Sequence, residues 1–449
     1  MKVYAVGGWV RDQLLSADAA RSAGDGASMD RTDHLDPAQR TDRDWVVVGA
    51  RAEDLVAAGY RPVGRDFPVF LHPTTHEEYA LARTERKTAP GYRGFVFHAA
   101  PDVTLEQDLA RRDLTINAIA RAEDGALIDP YGGRRDLAAR VLRHVGPAFA
   151  EDPVRILRVA RFAARWPDFT VAPETLALMR QMVVAGEVDA LVPERVWQEL
   201  ARGLMETQPS RLLQVLHECG ALARLLPEIE RVLSLAPAAS EGSATPQLLR
   251  VIDCTARMKA TLPARWAALL QDLAATSTAA GGAPPAAVDP RAVELARAAC
   301  ERLRVPADCR AAALAAAREH RVFADALALD AAGLVDLLER CDALRRPQAL
   351  AHALTACEAE FCAARGARRG QQPAAGATIE ATRFLPRARI EAALAAAHAI
   401  DAGAIAAQVR AAARPNANPG AATDDGARIA QAVRAARVSA VAAMLAQAD

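Results

Sequence analysis

The 449-residue chain has very few lysines and few aromatic residues, and its charges cancel. Lysine supplies only three of the 55 basic residues, at Lys2, Lys87 and Lys259, and acidic residues also number 55. A nucleic-acid partner is therefore not indicated by overall charge, and any basic surface must be local. Because the bias toward alanine and arginine extends over the whole chain, the arginine count alone carries little weight.

Two further absences bear on where the protein works. The first residues enter a strand-like run without a secretory signal, and no window of about 18 apolar, uncharged residues is typical of a membrane span. All seven cysteines lie from Cys219 onward, without a C-x-x-C pair. These features predict a cytoplasmic protein with reduced thiols and no membrane partner.

The first 140 residues mix strand and helix patterns, whereas the rest of the chain is helical. Residues 16–40 have almost no large apolar side chains and predict a flexible surface insertion. From about residue 147 onward we expect only helices, one of them over 152–165, with loops near 274–287 and 364–377. In the first part, the apolar patterns predict helices at 9–15 and 52–58 and strands at 2–6, 44–48, 68–72 and 77–82. The sequence therefore predicts a small α/β or α+β unit followed by an all-α part.

The most informative motif is Asp42-Arg43-Asp44, which lies directly before the apolar run 45–48. Two carboxylates at positions i and i+2 of a strand point to the same face of a sheet, where they repel unless a cation lies between them. Oxygen ligands of this kind suit Mg²⁺, which also binds substrate phosphates. The motif therefore predicts a magnesium site at the entry of a buried strand. Glu78 is a candidate third carboxylate, although a solvated strand residue is an equally good interpretation.

A glycine turn, Gly7-Gly8, connects the first strand to the first helix. Such a turn offers backbone N–H groups to an anion, and Arg11 on the helix adds positive charge. Alone, the turn is more often structural than functional. Beside the paired carboxylates it indicates metal-assisted phosphoryl or nucleotidyl transfer, which depends on positioning and charge stabilisation.

A second candidate contact with substrate lies in residues 108–120, where the sequence reads DLARRDLTINAIA. In the functional interpretation, Arg112 reaches a triphosphate or ribose while Asp113 and Asn117 hold the local geometry. The alternative is a helix junction with a salt bridge.

A third candidate segment follows at residues 150–165, where Asp152, Arg155, Arg158 and Arg161 recur every three residues. On a helix the first three fan over roughly 120° and can share one cleft, whereas Arg161 is expected to meet phosphate or a neighbouring element. A rigid carboxylate–guanidinium pair accepts from the amino group of cytosine or adenine and donates to the adjacent ring nitrogen, a pattern that uracil and guanine reverse. The alternative is a surface helix with i, i+3 ion pairs.

In chain order, eight segments resemble the motifs of bacterial class II CCA-adding enzymes, the tRNA nucleotidyltransferases. They are VGGWVRD, DRDWVVVG, GRDFPVFLHP, EEYALARTER, RRDLTINA, IDPYGG, EDPVRILRVARFAAR and PERVWQEL. The similarity is dense over about residues 1–230 and points to the multifunctional CCA protein group. It implies an α+β fold with a polymerase-β-like nucleotidyltransferase head, a mixed sheet with helices, over 1–140. An all-α neck (141–230), body (231–345) and alanine-rich tail (346–449) would follow.

The resemblance also implies an activity and a site. The activity is template-independent addition of C, C and A to tRNA 3′ ends from CTP and ATP with Mg²⁺, by a monomer or a dimer. Asp42 and Asp44 would hold the metal and carry catalysis, and Asp152 and Arg155 would read the base. The segment 129–133 would correspond to a flexible loop that helps to switch from C to A addition. The other nucleotide contacts would come from Gly8, Arg11, Arg112, Arg158 and Arg161.

The second half departs from relatives that carry an HD phosphohydrolase domain, whose metals need a His-Asp dipeptide. In this chain no histidine is followed by aspartate, and the corresponding place reads Gln271-Asp272-Leu273. We therefore expect a helical scaffold with a degenerate metal site and no phosphohydrolase activity. Two other functions stay open on the sequence: a bacterial poly(A) polymerase, which has a similar head, and a non-catalytic tRNA-binding chaperone.

Overall fold

A computed structural model provides the structure of the protein. It describes residues 1–22, 43–63, 69–87, 95–235, 246–273, 290–368, 384–413 and 422–447. The chain divides into two compact units, one formed by 1–203 and 211–225 and the other by 204–210 and 226–449. The predicted boundaries at 140 and 345 both fall inside a unit, so the division into four domains stays a prediction.

The first unit is built on a mixed seven-stranded sheet with the strand order β3-β4-β5-β2-β1-β8-β9. β2 and β5 run parallel, whereas the other neighbours in this sheet are antiparallel. β6 and β7 form a separate two-stranded sheet. The strands are β1 (Lys2–Val6), β2 (Asp44–Val48), β3 (Arg61–Val63), β4 (Val69–Leu71), β5 (Glu78–Leu81), β6 (Arg83–Lys87), β7 (Phe95–Ala99), β8 (Ala120–Ala122) and β9 (Leu127–Ile128).

Nine helices belong to this part of the described chain, and most confirm a predicted helix. The helix α1 continues to Ser22, so the expected flexible insertion is wrong for residues 16–22, and its remainder, 23–40, lies outside the described residues. The helices are α1 (Gly8–Ser22), α2 (Ala52–Ala57), α3 (Leu105–Ala110), α4 (Gly133–Ala138), α5 (Val154–Arg165), α6 (Pro173–Val184), α7 (Pro193–Leu204), α8 (Ser210–Glu218) and α9 (Ala221–Leu225).

The apolar run of β2 is explained by burial on both faces of the sheet. Val46 packs in one core cluster with Val6 and with Leu109 of α3. Val47 packs in a second cluster with Leu55 of α2. Because successive strand residues point to opposite faces, a strand covered on both sides needs apolar residues at every position, and β-branched valine fits that environment.

Two predictions around α5 are wrong, for local reasons. β11 (Thr170–Val171) pairs in parallel with β10 (Val141–Leu142), although only helices were expected there. A two-residue strand has too little periodicity to be seen in a sequence. The helix predicted to begin at Asp152 begins at Val154, and Asp152 itself is extended. The following Pro153 disfavours helical backbone at the residue before it.

The second unit is helical throughout its described residues. α16 packs against α11, α12 and α14, and α19 packs against α15, α17 and α18. Because α16 continues to Arg368, the predicted loop at 364–377 is wrong for its first five residues; the predicted loop at 274–287 lies outside the described residues. The helices are α10 (Pro227–Leu235), α11 (Gln247–Arg257), α12 (Leu262–Leu270), α13 (Pro290–Arg302), α14 (Ala307–Ala324), α15 (Ala331–Arg340), α16 (Pro347–Arg368), α17 (Leu385–His398), α18 (Ala402–Ala413) and α19 (Ala422–Ala446).

One described helix is long and apolar enough to cross a membrane, which the sequence analysis did not expect. It covers Asp425–Ala446 of α19, with a mean hydropathy of 1.3, and the bent pair of α17 and α18 passes the same criterion together. Length and composition alone are weak evidence, since core helices also satisfy them. Arg434 of this helix forms ion pairs with Asp336 and Glu339 of α15, so charged contacts hold α19 against its neighbour.

Candidate active site

The turn between β1 and α1 faces a carboxylate and a guanidinium. Gly7 has φ +74°, which glycine adopts without the cost that a Cβ imposes. A Cβ on Gly7 would lie 3.6 Å from Asp44 Oδ2 and 2.9 Å from Arg112 Nη1. Gly8 is the first residue of α1, so the backbone N–H groups at the helix N-terminus lie beside these charges. The structure therefore brings together three of the predicted site residues.

The register of the sheet places two carboxylates side by side. Asp44 of β2 pairs with Glu78 of β5, and both residues are exposed. Partners on neighbouring strands are about 4.8 Å apart and point to the same face. Asp42 lies outside the described residues, and within the described ranges no group of three or more His, Cys, Asp or Glu residues is arranged to hold a metal. The two described carboxylates supply the hard oxygen donors that a divalent cation prefers.

Arg112 has donor capacity left beside the glycine turn. Its contacts to Asp108 Oδ2 and to the carbonyl oxygen of Asn117 are both long, at 3.4 Å. Its Nε is buried and has no hydrogen-bond partner among the described residues. A buried unpaired donor is costly and calls for an explanation. The Nη1 atom, and not the buried Nε, lies beside the Gly7 turn and is the donor placed to meet an anion there.

The helix α3, which ends two residues before Arg112, is fixed at its start by a reciprocal cap. Thr104 Oγ1 accepts from the backbone N–H of Gln107, and Gln107 Oε1 accepts from the backbone N–H of Thr104, which is the capping-box arrangement. Burial raises the pKa of Asp108 on this helix, but the guanidinium groups of Arg112 and Arg111 outweigh burial and lower it below its usual range.

A buried ion pair holds the segment after Arg112 against α5. Asp113 Oδ1 accepts from Asn117 Nδ2 at 2.9 Å, and Asp113 Oδ2 accepts from Arg158 Nε at 2.7 Å. Burial opposes the charge of Asp113, but Arg158 and Asn117 outweigh it and hold the pKa of Asp113 far below its usual range. These contacts agree with the expectation that Asp113 and Asn117 fix the local geometry.

Arg11 and Arg161 make contacts within the protein. Arg11 is 3% exposed and donates to Asn117 Oδ1 at 2.5 Å. Its guanidinium also lies over the ring of Trp166, 4.7 Å from the centroid. Arg161 donates to Glu199 of α7 at 2.7 Å. Of the two partners expected for Arg161, phosphate and a neighbouring element, the structure shows the second. The roles of both arginines in nucleotide binding stay predictions.

The predicted base-reading residues lie close in sequence but have different partners. Asp152 accepts from both terminal nitrogens of Arg195 on α7, at 3.2 and 2.8 Å. Arg155 is buried and donates to the carbonyl oxygens of Ala148 and Arg111, each at 2.6 Å. The expectation that Asp152 shares a helix face with Arg155 is wrong, because Asp152 precedes the helix. The two carbonyl contacts fix the orientation of the Arg155 guanidinium.

Arg195 and Glu199 are the site residues that sequence reasoning missed. Both lie in the segment PERVWQEL, four residues apart on one face of α7, and each binds a residue of the 150–165 segment. The i, i+4 spacing of opposite charges in an amphipathic helix was the available signal. By itself that spacing is more often a surface ion pair.

The segment 129–133, expected to be a flexible loop, is tightly held. Asp129 accepts from the backbone N–H groups of Gly133 and Arg134 at 2.7 and 2.9 Å, and the Tyr131 hydroxyl donates to the carbonyl oxygen of Glu106. A Cβ on Gly133 would lie 2.2 Å from the carbonyl oxygen of Thr115. These contacts anchor the segment to the rest of the unit, so the expectation of a flexible loop is not supported.

We expect Gly133→Ala to lower the free energy of unfolding by about 2–3 kcal/mol, because the added methyl group collides with backbone that cannot move aside cheaply. Urea unfolding measures the change. Gly146→Ala is a matched control, since a Cβ there meets nothing within 4 Å. Equal stability of the two variants would contradict the close packing described for this turn.

The degenerate metal site expected in the second unit corresponds to a partly buried polar cluster. Asp272 Oδ1 lies 3.6 Å from both His320 Nε2 and Arg321 Nη2. Gln271 donates to Glu360 at 3.0 Å, and burial raises the pKa of Glu360 to about 7. An arginine and an amide thus occupy a site where a metal centre needs ligands.

The sequence matches two families and many relatives. The Poly A polymerase head domain matches residues 3–143, and the family described as a probable RNA and SrmB-binding site of polymerase A matches residues 168–233. The multifunctional CCA protein of Cupriavidus pinatubonensis strain JMP 134 is 53% identical over 457 residues, covering 100% of this chain and 99% of its own. That of Verminephrobacter eiseniae strain EF01-2 is 55% identical over 454 residues, covering 99% and 100%.

The chain belongs to the multifunctional CCA protein family. The fold agrees: the crystal structure of the Bacillus stearothermophilus CCA-adding enzyme in complex with CTP superposes with a TM-score of 0.52 at 24% identity, covering 82% of this chain and 77% of that one. The resemblance to class II CCA-adding enzymes and the α+β head followed by helices are thereby confirmed. Multifunctional CCA proteins are nucleotidyltransferases of the polymerase-β type, which generally use a divalent metal, and the carboxylates of Asp44 and Glu78 fit one.

Proposed function

We propose that this protein adds C, C and A to the 3′ end of tRNA in the cytoplasm, using CTP and ATP with Mg²⁺. The observation that carries the proposal is the convergence of Asp44, the Gly7 turn and Arg112 at one end of the sheet. Its relatives, more than half identical along the whole chain, are named for CCA addition.

The residues divide the work between substrate binding and metal binding. Asp44, with Asp42 and Glu78, would hold Mg²⁺, which when bound activates the attacking 3′-hydroxyl and neutralises the leaving pyrophosphate. The N-terminus of α1 at Gly8 binds phosphate oxygens through backbone N–H groups. Arg112 adds a guanidinium whose Nη1 lies beside the Gly7 turn, and guanidinium groups match phosphate geometry.

The arginines of α5 position this site and the incoming base. Arg158 is a third exposed and is fixed by Asp113, so its outer edge is available to the nucleoside triphosphate. Asp152 and Arg155 select cytosine and adenine through the amino group and the ring nitrogen. The two carbonyl contacts of Arg155 supply the rigidity that such selection needs.

We expect Asp152→Ala and Arg155→Ala to lower the preference for CTP over UTP by about ten- to a hundredfold, since a bidentate base contact contributes about 1–3 kcal/mol of discrimination. Single-turnover incorporation of each triphosphate gives the ratio. Arg195→Ala is the control, because Arg195 is the guanidinium that contacts Asp152 in the structure. Loss of preference in Arg195→Ala, with Arg155→Ala unaffected, would assign base reading to Arg195 instead.

The function itself is tested by incubating tRNA that lacks its 3′ terminus with each triphosphate. We expect CTP to be incorporated twice, followed by one A from ATP. Extension by ATP alone, with many additions to unrelated RNAs, would identify a poly(A) polymerase, whose head domain family this chain matches. Full cellular function of Asp44→Asn would favour the tRNA-binding chaperone.

We expect no metal-dependent phosphohydrolase activity from the second unit, because its polar cluster contains Arg321 and Gln271 where metal ligands are needed. The assay is hydrolysis of 2′,3′-cyclic AMP with added divalent metals. We expect the same rate of hydrolysis as in buffer without protein. Metal-dependent hydrolysis that Asp272→Asn abolishes would show that the metal site is intact.

A further inference from the structure

An exposed arginine next to Asp44 lies on an aromatic ring of α1. The guanidinium carbon of Arg43 is 4.6 Å from the ring centroid of Trp9. Arg43 is exposed, whereas Trp9 is partly buried. A guanidinium over the face of an indole is attracted by the negative charge of that face. The contact therefore holds a side chain that belongs to the Asp42-Arg43-Asp44 motif.

The two residues of this contact flank the two elements that meet at the candidate active site. Trp9 is the second residue of α1 and directly follows Gly8, and Arg43 directly precedes Asp44, the first residue of β2. β1 and β2 pair so that Val6 lies opposite Asp44. The contact thus joins the chain just after the glycine turn to the chain just before the strand that carries the carboxylate.

The sheet fixes Asp44 on one side only. Asp44 is the terminal residue in the pairing of β2 with β1 and also in its pairing with β5. The ends of strands open more easily than their centres, and Mg²⁺ requires nearly ideal octahedral geometry from its ligands. A carboxylate at the end of a strand therefore needs a restraint from the side that has no strand partner. The contact between Arg43 and Trp9 lies on that side.

We propose that Trp9 is a positioning residue for the metal site. Its indole holds Arg43, and this contact keeps the start of β2 in the place where Asp44 Oδ2 lies beside the Gly7 turn. Trp9 acts through Arg43 and the backbone that follows it. The inference rests on the proposed function, because that function assigns the metal to Asp44.

The test is a double-mutant cycle on the full-length protein, measured as the affinity for Mn²⁺ alone. Free Mn²⁺ is quantified by its electron paramagnetic resonance signal. We expect Trp9→Leu to weaken Mn²⁺ binding about two- to fivefold, the factor that corresponds to loss of an exposed cation–π contact. In the Arg43→Gln background the same substitution should have no further effect, because the contact is already absent. Trp9→Phe keeps an aromatic face and should keep most of the affinity.

The cycle separates positioning from the charge of Arg43. Removing that charge favours a nearby cation by itself, but the effect is the same with and without Trp9 and cancels in the comparison. Arg365→Gln is the matched control, since it removes an exposed arginine that lies 5.6 Å from the ring centroid of Phe361 on α16. It should bind Mn²⁺ as the unchanged protein does.

A second measurement relates the contact to catalysis. The Mg²⁺ concentration that gives half the maximal rate of CTP addition should rise in Trp9→Leu by the same factor as the Mn²⁺ dissociation constant. The KM for tRNA should stay the same, because the contact acts on the metal and not on the RNA. A rise in that KM with an unchanged Mg²⁺ requirement would instead make Trp9 part of the RNA-binding surface and overturn the proposal.

Two results of the Mn²⁺ titrations would also overturn it. One is an undiminished affinity in Trp9→Leu. The other is an equal loss in both Arg43 backgrounds, which would show that Trp9 acts by packing alone. If Trp9→Leu does not fold, Arg43→Lys decides in its place, since it keeps the charge but loses the flat group that stacks on the ring. Undiminished Mn²⁺ affinity in that variant would then reject the role of Trp9.

Failure of the proposed function would give a different result. Asp44→Asn would then bind Mn²⁺ as tightly as the unchanged protein, and the metal would not be held by Asp44 at all. If Asp44→Asn weakens Mn²⁺ binding while Trp9→Leu does not, the metal site stands and only the role of Trp9 is rejected.

Discussion

Replacing Asp44 with asparagine should lower nucleotide addition to tRNA by about a thousandfold or more while leaving the fold intact. The substitution keeps size and shape but removes the negative charge that a divalent cation requires, and such electrostatic contributions are among the largest in catalysis. Asp44 is exposed at the start of β2, so the substitution leaves the packing of the core unchanged. Single-turnover rates at saturating CTP measure the effect, and thermal unfolding verifies the fold.

The matched control for this variant is Asp102→Asn, the same chemical change at an exposed residue of the first unit. It should retain the rate of the unchanged protein. A rate for Asp44→Asn within tenfold of the control would remove Asp44 from the metal site and, with it, the proposed chemistry.

Asp113→Asn should lower the free energy of unfolding by about 3 kcal/mol, the lower end of what removal of one partner from a buried ion pair costs. The lower end applies because Asp113 is buried, whereas Arg158 is a third exposed and stays partly hydrated. Urea unfolding at neutral pH gives the difference. Asp168→Asn, which breaks an exposed pair with Arg140, should cost under about 1 kcal/mol.

The same variant has a distinctive pH dependence. The pKa of Asp113 is lowered in the folded state, so its stabilising contribution is complete above the unfolded value of about 3.9 and is lost as the pH falls below it. The difference in the free energy of unfolding between the unchanged protein and Asp113→Asn should therefore be constant from about pH 5 to 8. It should shrink below about pH 4. A gap that widens on acidification would contradict the ion-pair assignment.

The sequence predicted the parts of the head that depend on local patterns. The apolar run of β2 and the strand before Gly7 were found with their bounds, because two-sided burial leaves an unbroken apolar signature. The approach of Asp44 to the glycine turn followed from strand pairing. Asp113 and Asn117 were expected to hold the geometry, and their hydrogen bond is present.

The sequence could not predict contacts that depend on tertiary packing. Arg195 binds Asp152 across 43 residues of sequence, far beyond the short windows in which periodicity is informative. The carbonyl contacts of Arg155 cannot be inferred from a sequence pattern, because every residue type has a backbone carbonyl. The misplaced start of α5 was avoidable, because Pro153 marks the residue before it as extended.

The ion pairs of α5 have a consequence for how RNA is attracted. Three successive arginines along this helix are each matched by an acid of the same unit: Arg158 by Asp113, Arg161 by Glu199 and Arg165 by Asp12. The electric fields of two opposite charges in contact largely cancel at distances beyond a Debye length, which is about 10 Å. A distant polyanion therefore meets little net charge from these three ion pairs, and the long-range attraction of tRNA has to come from other charges.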